Sequence, residues 1–185
     1  MVNRFYTTFS SPFGPFSIIW EESVPDLQIK RIFLSDPEFT SEMKMLKVFK
    51  IIKSGVSSII DSLGKQILLF LKGETINFNL QLIDLDECYE IQKRILLAEY
   101  NIPRGWVSTY KRIADKIGIP KGARVVGNAL AKNPFPIIIP CHRAIKSNGE
   151  LGGFQGGLEM KQVLLEMEKI KFSTRGKVIT NKIFY

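Results

Sequence analysis

The only histidine of the chain follows directly on one of its two cysteines, in Pro140-Cys141-His142-Arg143, at the end of the apolar run 135–139. The thiolate is the nucleophilic form of cysteine, and a free thiol with a pKa of ~8.5 is mostly protonated at neutral pH, so an adjacent imidazole reads as its activating base. Neighbours on a straight strand face opposite sides. Cys141 and His142 can therefore cooperate only if the chain turns at Pro140-Cys141 or a water bridges them. As a bare dipeptide the pair reads better as a buried structural cysteine beside a surface histidine. Glu168 shifts that balance. On the helix predicted over 158–170 it falls between Leu164 and Leu165 on the apolar face, which points its carboxylate inward. A buried carboxylate needs a partner, and an imidazole nitrogen is a natural one, although a helix-end Glu paired with Lys171 is the alternative. Between these groups lies the glycine-rich stretch 149–157.

The elements that must carry this chemistry belong to a mostly helical second half. Cys88, Ile91, Ile95 and Leu96 form one stripe of a helix that ends before Asn101. Ser108 or Thr109 can cap a helix closed by Gly118, and a second helix follows from Gly122 until Asn133-Pro134 stops it. Seven Lys/Arg and one acid lie between Arg104 and Lys132, which fits a helix-turn-helix that touches nucleic acid or, equally, an αα-hairpin with a solvated basic face. Net charge is +8, but residues 1–100 carry −2 and residues 101–185 carry +10. A polyanion is the commonest reason to concentrate basic charge in one half, and on charge alone a solvated surface with a solubility bias fits equally.

The first half reads as mixed α/β. Strand-like runs at 4–9, 15–20 and 27–34 surround a turn at Ser10–Gly14, helical spacing follows at 39–49 and 57–71, and residues 76–83 return to strand-like alternation. It has no histidine and no cysteine before Cys88, so a zinc site of soft ligands is excluded there. At 45% hydrophobic and 24% charged the composition is globular, and no apolar run approaches the ~20 residues that span a bilayer. Two cysteines are too few for a disulfide framework, which points to a reducing compartment, the cytoplasm or a nucleus.

From about Pro103 to Glu168 the sequence resembles the O6-alkylguanine-DNA alkyltransferases, also called methylated-DNA–protein-cysteine methyltransferases. The resemblance rests on Ile139-Pro140-Cys141-His142-Arg143, Asn133-Pro134 eight residues before the cysteine, Tyr110 and Arg124 on the helix-turn-helix, and the Gly-rich loop. It implies an α+β fold with a small N-terminal α/β, ribonuclease H-like domain at 1–85. A mostly helical DNA-binding and acceptor domain would follow at 86–170, then a basic tail at 171–185. It also implies single-turnover DNA repair. The alkyl group of O6-alkylguanine, with O4-alkylthymine as a second candidate, passes irreversibly to Cys141. His142 would be the water-mediated base and Glu168 its orienting carboxylate. Asn133 would shape the turn, and Tyr110 would donate to guanine N3. Arg124 would fill the space left by the flipped nucleotide, with Gly122, Ala123, Asn128 and Arg143 also on DNA. Ala144, Phe154, Gln155 and Gly156 would line the base pocket. The implied partner is double-stranded DNA, the implied state a monomer, and no cofactor or metal is implied.

This sequence departs from the family pattern at Ala144, commonly Val, and at Phe154 and Gln155, where many members have Tyr and Ser. Related non-repair proteins carry Trp at the cysteine position. Two other functions fit parts of the chain. A lesion-sensing or regulatory DNA-binding module would leave the Cys-His pair and inward Glu168 idle, and a cysteine hydrolase would leave the basic helix-turn-helix idle.

Overall fold

Runs of aromatic and β-branched residues with period-two alternation favour extended chain, and three of them become strands in the computed structural model, which describes residues 3–23, 26–50 and 52–185. These are β1 (Asn3–Phe9), β2 (Phe16–Ser23) and β3 (Asp26–Leu34), paired antiparallel in succession. A two-residue strand β4 (Lys53–Ser54) pairs parallel to β1, giving the order β3-β2-β1-β4. Helix α1 (Ser41–Val48), capped by the Thr40 side chain, buries Met45 against Ile19 and Phe33. On the other face, helix α2 (Ser58–Leu71) buries Ile60, Leu63, Ile67 and Phe70. A Cβ at Gly64 would lie 2.3 Å from the Phe9 ring, so only glycine permits that approach.

Residues 76–83 do not form the expected strand. Asn79 instead caps a 3-10 turn at Leu80–Leu82 by accepting from Gln81 N at 2.9 Å, and only Ile83 bridges to Ile29. The apolar run 135–139 is likewise not a strand. It turns, with Ile137 at φ 75, a left-handed conformation that a β-branched residue rarely takes.

The chain divides into two compact units, at boundaries that differ from the sequence expectation. The first runs to Glu87 and includes Pro134–Ile138, whose Pro134 carbonyl accepts from Ile32 N at 2.7 Å. The second comprises Cys88–Asn133 and Ile139–Tyr185. Its elements are α3 (Glu90–Tyr100), β5 (Ser108–Thr109), α4 (Tyr110–Lys116), α5 (Ala123–Ala131), β6 (Ala144–Ile145), α6 (Gly157–Met167), β7 (Lys171–Phe172) and β8 (Val178–Ile179). Residues 171–185, set apart from the sequence as a tail, are an integral part of this unit. β7 and β8 form a hairpin, and Phe172, Val178 and Ile183 pack on the buried cluster of Val107, Ile145, Leu165 and Ile170. The Tyr185 hydroxyl donates to Ala98 O at 2.8 Å.

Candidate active site and nucleic-acid interface

Cys141 does not sit at a strand end. Pro140 ends the preceding run and Cys141–Arg143 closes a 3-10 turn, with Arg143 N donating to Pro140 O at 2.8 Å. The turn removes the objection that neighbouring side chains diverge by 180° on a strand. Cys141 is 5% exposed, and burial pushes its thiol up to about 11, a shift that the Glu99 charge reinforces and a hydrogen bond from Asn133 opposes. The resting sulfur is therefore a thiol. Asn133, also buried, donates from Nδ2 to Ile139 O at 3.2 Å, which holds the backbone just ahead of the cysteine.

His142 is fully buried, with Nε2 at 3.0 Å from Glu168 Oε1. Burial lowers its pKa and outweighs the carboxylate's upward pull, so the ring is neutral at physiological pH. A neutral ring that donates Nε2–H to the carboxylate keeps its basic lone pair on Nδ1. Glu168 caps α6 just where the helical wheel turned it inward. It accepts from Gly105 N at 3.1 Å, from Arg143 Nη2 at 2.8 Å and from Arg143 Nε at 3.0 Å. Burial alone would raise this carboxyl, but His142 and Arg143 hold it well below the usual carboxylate range.

Arg143, expected on DNA, is instead only 8% exposed and committed to Glu168 and to the Ile102 carbonyl at 2.6 Å. The DNA-facing assignment therefore fails on geometry, because the guanidinium already neutralises a buried charge. The other expected DNA contacts are better placed. Thr109 caps α4 by accepting from Arg112 N at 3.2 Å, and the chain turns into α5 at Gly122, where a Cβ would lie 2.6 Å from Ile119 O. Gly122 thus serves the turn between the helices. Arg124 and Asn128, one helical turn apart, are both exposed on α5, and nothing lies within 4 Å of the Cβ position of Gly127. Ala123 is half-buried and Ala129 is fully buried.

Tyr110 opens α4 beneath the Gly-rich loop. A Cβ at Gly152 would lie 1.9 Å from its hydroxyl oxygen, so the glycine makes room for the phenol. Burial raises the Tyr110 pKa, and the charges of Glu99 and Cys141 raise it further, so the hydroxyl keeps its proton. Phe154 and Gln155 are half-buried, the Phe154 ring standing edge-on to His142 at 6.2 Å. Gly156 is buried against Met160, whose sulfur would meet an added Cβ at 2.2 Å. Ala144 is fully buried, and its carbonyl accepts from Lys161 Nζ at 2.7 Å.

Residues 90–170 match the family model for the DNA-binding domain of 6-O-methylguanine DNA methyltransferase. The methylated-DNA–protein-cysteine methyltransferase of Methanothermobacter thermautotrophicus is 42% identical over 115 residues, which span 62% of each chain. Its counterpart in Methanosarcina acetivorans is 34% identical over 166 residues, 89% of this chain and 97% of the relative. The chain belongs to the methylated-DNA–protein-cysteine methyltransferase family. The crystal structure of the Mycobacterium tuberculosis O6-methylguanine methyltransferase is similar across both units, with a TM-score of 0.72 at 31% identity over 91% of this chain and 93% of that one. A Pyrococcus kodakaraensis structure at 23% identity shares the fold, with a TM-score of 0.66.

Two buried ionisable residues of this methyltransferase-family chain escaped the sequence reading. Lys161 is fully buried on α6, where Nζ donates to the carbonyls of Ala144, Gly152 and Gly153 at 2.7, 3.1 and 3.4 Å and so ties β6 to the Gly-rich loop. The wheel that turns Glu168 inward places Lys161 beside it, seven residues earlier. Glu99 is fully buried on α3, on the stripe of Gln92, Ile95 and Leu96. The same 3.6-residue spacing, applied to charged as well as apolar residues, finds both.

Proposed function

We propose that this protein repairs duplex DNA by transferring the alkyl group of O6-alkylguanine to Cys141, once per molecule, as a monomer acting in whichever compartment holds the DNA. The observation that carries the reading is the buried set Cys141, His142, Glu168 on one turn and one helix end, in the unit that also presents Arg124 and Asn128 on the exposed face of α5. The O6 atom lies inside the base stack, so the nucleotide must be extruded, at a few kcal/mol that Arg124 offsets by entering the vacated stack. The Cys141 proton passes through a bridging water to His142 Nδ1, and Glu168 stabilises the imidazolium that results. The sulfur then forms its bond to the alkyl carbon while the carbon–O6 bond breaks. The electron pair leaves with the guanine, and Tyr110 supplies the hydrogen bond or proton that the departing base needs. No electrons are gained or lost overall, and the thioether is permanent.

The test is intact-protein mass after incubation with duplex containing O6-methylguanine. A gain of one methyl, mapped to Cys141 and absent from Cys141→Ser, supports the transfer. Repeated release of repaired DNA by an unmodified chain would replace it with a turnover enzyme, and tight binding without mass gain would leave only a lesion-sensing module.

A further inference from the structure

The transfer just described does not use residues 182–185, yet this segment runs along the strand that leads into Tyr110. Val107 N donates to Lys182 O at 3.1 Å, Phe184 N donates to Val107 O at 2.8 Å, and Ile183 bridges Val107 in parallel register. The fully buried Ser108 donates from Oγ to Phe184 O at 2.8 Å. Arg112 on α4 donates to Tyr185 O, and the Tyr185 hydroxyl fastens the segment to α3 at Ala98. β5 pairs in parallel with β6 as well, Ser108 opposite Ala144 and Thr109 opposite Ile145. Tyr110 opens α4 directly after β5, and β6 starts directly after the turn Cys141–Arg143. The placement of Tyr110 against Cys141 is thus transmitted through a ladder of two residue pairs, which is marginal by itself. Residues 182–184 give that ladder a third partner, and Ile183 packs on the cluster that contains Val107 and Ile145. Earlier in the same stretch Val178 N donates to Gly149 O at 2.8 Å, at the start of the loop whose Gly152 makes room for the Tyr110 hydroxyl.

We propose that residues 182–185 are a positioning strap for the acceptor site, which holds β5 in register with β6 and so fixes the Tyr110 hydroxyl relative to Cys141. The inference rests on the alkyl-transfer reading for what Tyr110 does, whereas the hold on Tyr110 can be measured without DNA. Tyr110 has to meet the departing guanine while the sulfur meets the alkyl carbon. An error of about 1 Å in such an arrangement can cost up to ~100-fold in rate, even when its cause lies far from the reacting atoms. The strap touches neither the sulfur nor the base, and it acts only through the strand that carries the phenol.

The experiment uses the full chain with two strap variants. Phe184→Pro deletes the N–H that bonds Val107 O, and Ser108→Ala, the milder change, deletes the bond to Phe184 O. Each is also combined with Tyr110→Phe. Methyl transfer at saturating O6-methylguanine duplex is timed by intact-protein mass, below the melting temperature of every variant. Each strap variant should lower that rate about tenfold, but by less than about twofold where Tyr110→Phe has already removed the hydroxyl. Hydrogen exchange without DNA should quicken at 107–112 and 149–153 in both strap variants, while α6 and the first unit keep wild-type protection. Native transfer rates in both variants, equal losses with and without the Tyr110 hydroxyl, or unchanged exchange at 107–112 each overturn the proposal, since the segment would then only add stability. If exchange quickens as expected but wild type takes no methyl from DNA, the hold on Tyr110 stands and the alkyl-transfer reading falls.

Discussion

Replacing Glu168 by Gln keeps the shape of the side chain and removes its charge, which isolates what the carboxylate does. The Glu168 side chain is 1% exposed, and that of Arg143, which binds it through Nη2 at 2.8 Å, is 9% exposed. With Gln at position 168 the guanidinium stays buried opposite a neutral group, and the new NH2 has to face donors on Arg143 or His142. Breaking a buried pair from one side typically costs ~3–5 kcal/mol. For a chain of this size each kcal/mol moves the melting temperature by roughly 2–4 °C, so a drop of about 6–20 °C is expected. The pH dependence has a definite sign. Glu168 is held below its ordinary value, so its contribution is fully present above the unfolded carboxyl pKa of ~4.3 and fades only as pH falls towards the lower folded value. The stability gap between wild type and Glu168→Gln should stay level from about pH 5 to 8 and close in stronger acid. Urea unfolding across that range measures it, with hydrogen exchange assigning the loss to the second unit. A gap below ~1 kcal/mol at neutral pH, or one that narrows as pH rises, would refute the reasoning, since a buried guanidinium would then tolerate the loss of its counter-charge.

Gly152→Ala should reduce both alkyl transfer and stability, the latter by ~1–3 kcal/mol, because the new Cβ collides with the Tyr110 hydroxyl; paired activity and melting measurements check it, and wild-type values in both would show that the loop yields freely. Arg124→Ala should slow repair of duplex more than reaction with free O6-alkylguanine base, since only the duplex has a stack to refill; equal losses would relocate Arg124 to folding or pocket shape. Binding to duplex should weaken steeply with salt through the basic residues around α4 and α5, and a salt-independent affinity would exclude phosphate contacts as its source. Alkylation of Cys141 should lower the melting temperature, more for benzyl than for methyl, because the thiol is only 5% exposed and the site close-packed; an unchanged value after stoichiometric reaction would mean that the pocket has slack.

Where hydrophobic periodicity is long, the sequence already contains the answer. Strands β1 to β3, helices α1 and α2 and the two helices α4 and α5 follow from alternation, caps and breakers that act within a few residues. Glu168 was legible for the same reason. What was not legible depends on contacts distant in sequence. Residues 76–83 alternate like a strand, but Asn79 spends its side chain on a 3-10 turn and no neighbouring ladder accepts the segment beyond Ile83. Residues 135–139 have β-rich composition but bend through Ile137, and residues 171–185 look like a basic tail until Phe172, Val178 and Ile183 find the Val107 cluster. Arg143 was misassigned because a basic residue beside a reactive cysteine is as apt for phosphate as for a carboxylate. Only the 63-residue and 25-residue separations that bring Gly105 and Arg143 to Glu168 decide between them.

The burial of the acceptor sulfur has a consequence for time rather than for rate. A molecule that can react only once is wasted by any stray electrophile or oxidant it meets before its proper substrate. A thiol held at about 11 is mostly protonated at neutral pH, and at 5% exposure it presents little surface to such agents. Cys88, half-buried and outside the relay, lacks that enclosure and should meet such agents first. On the proposed single transfer, a buried thiol kept in its protonated form is spent more slowly by such agents than an exposed thiolate would be.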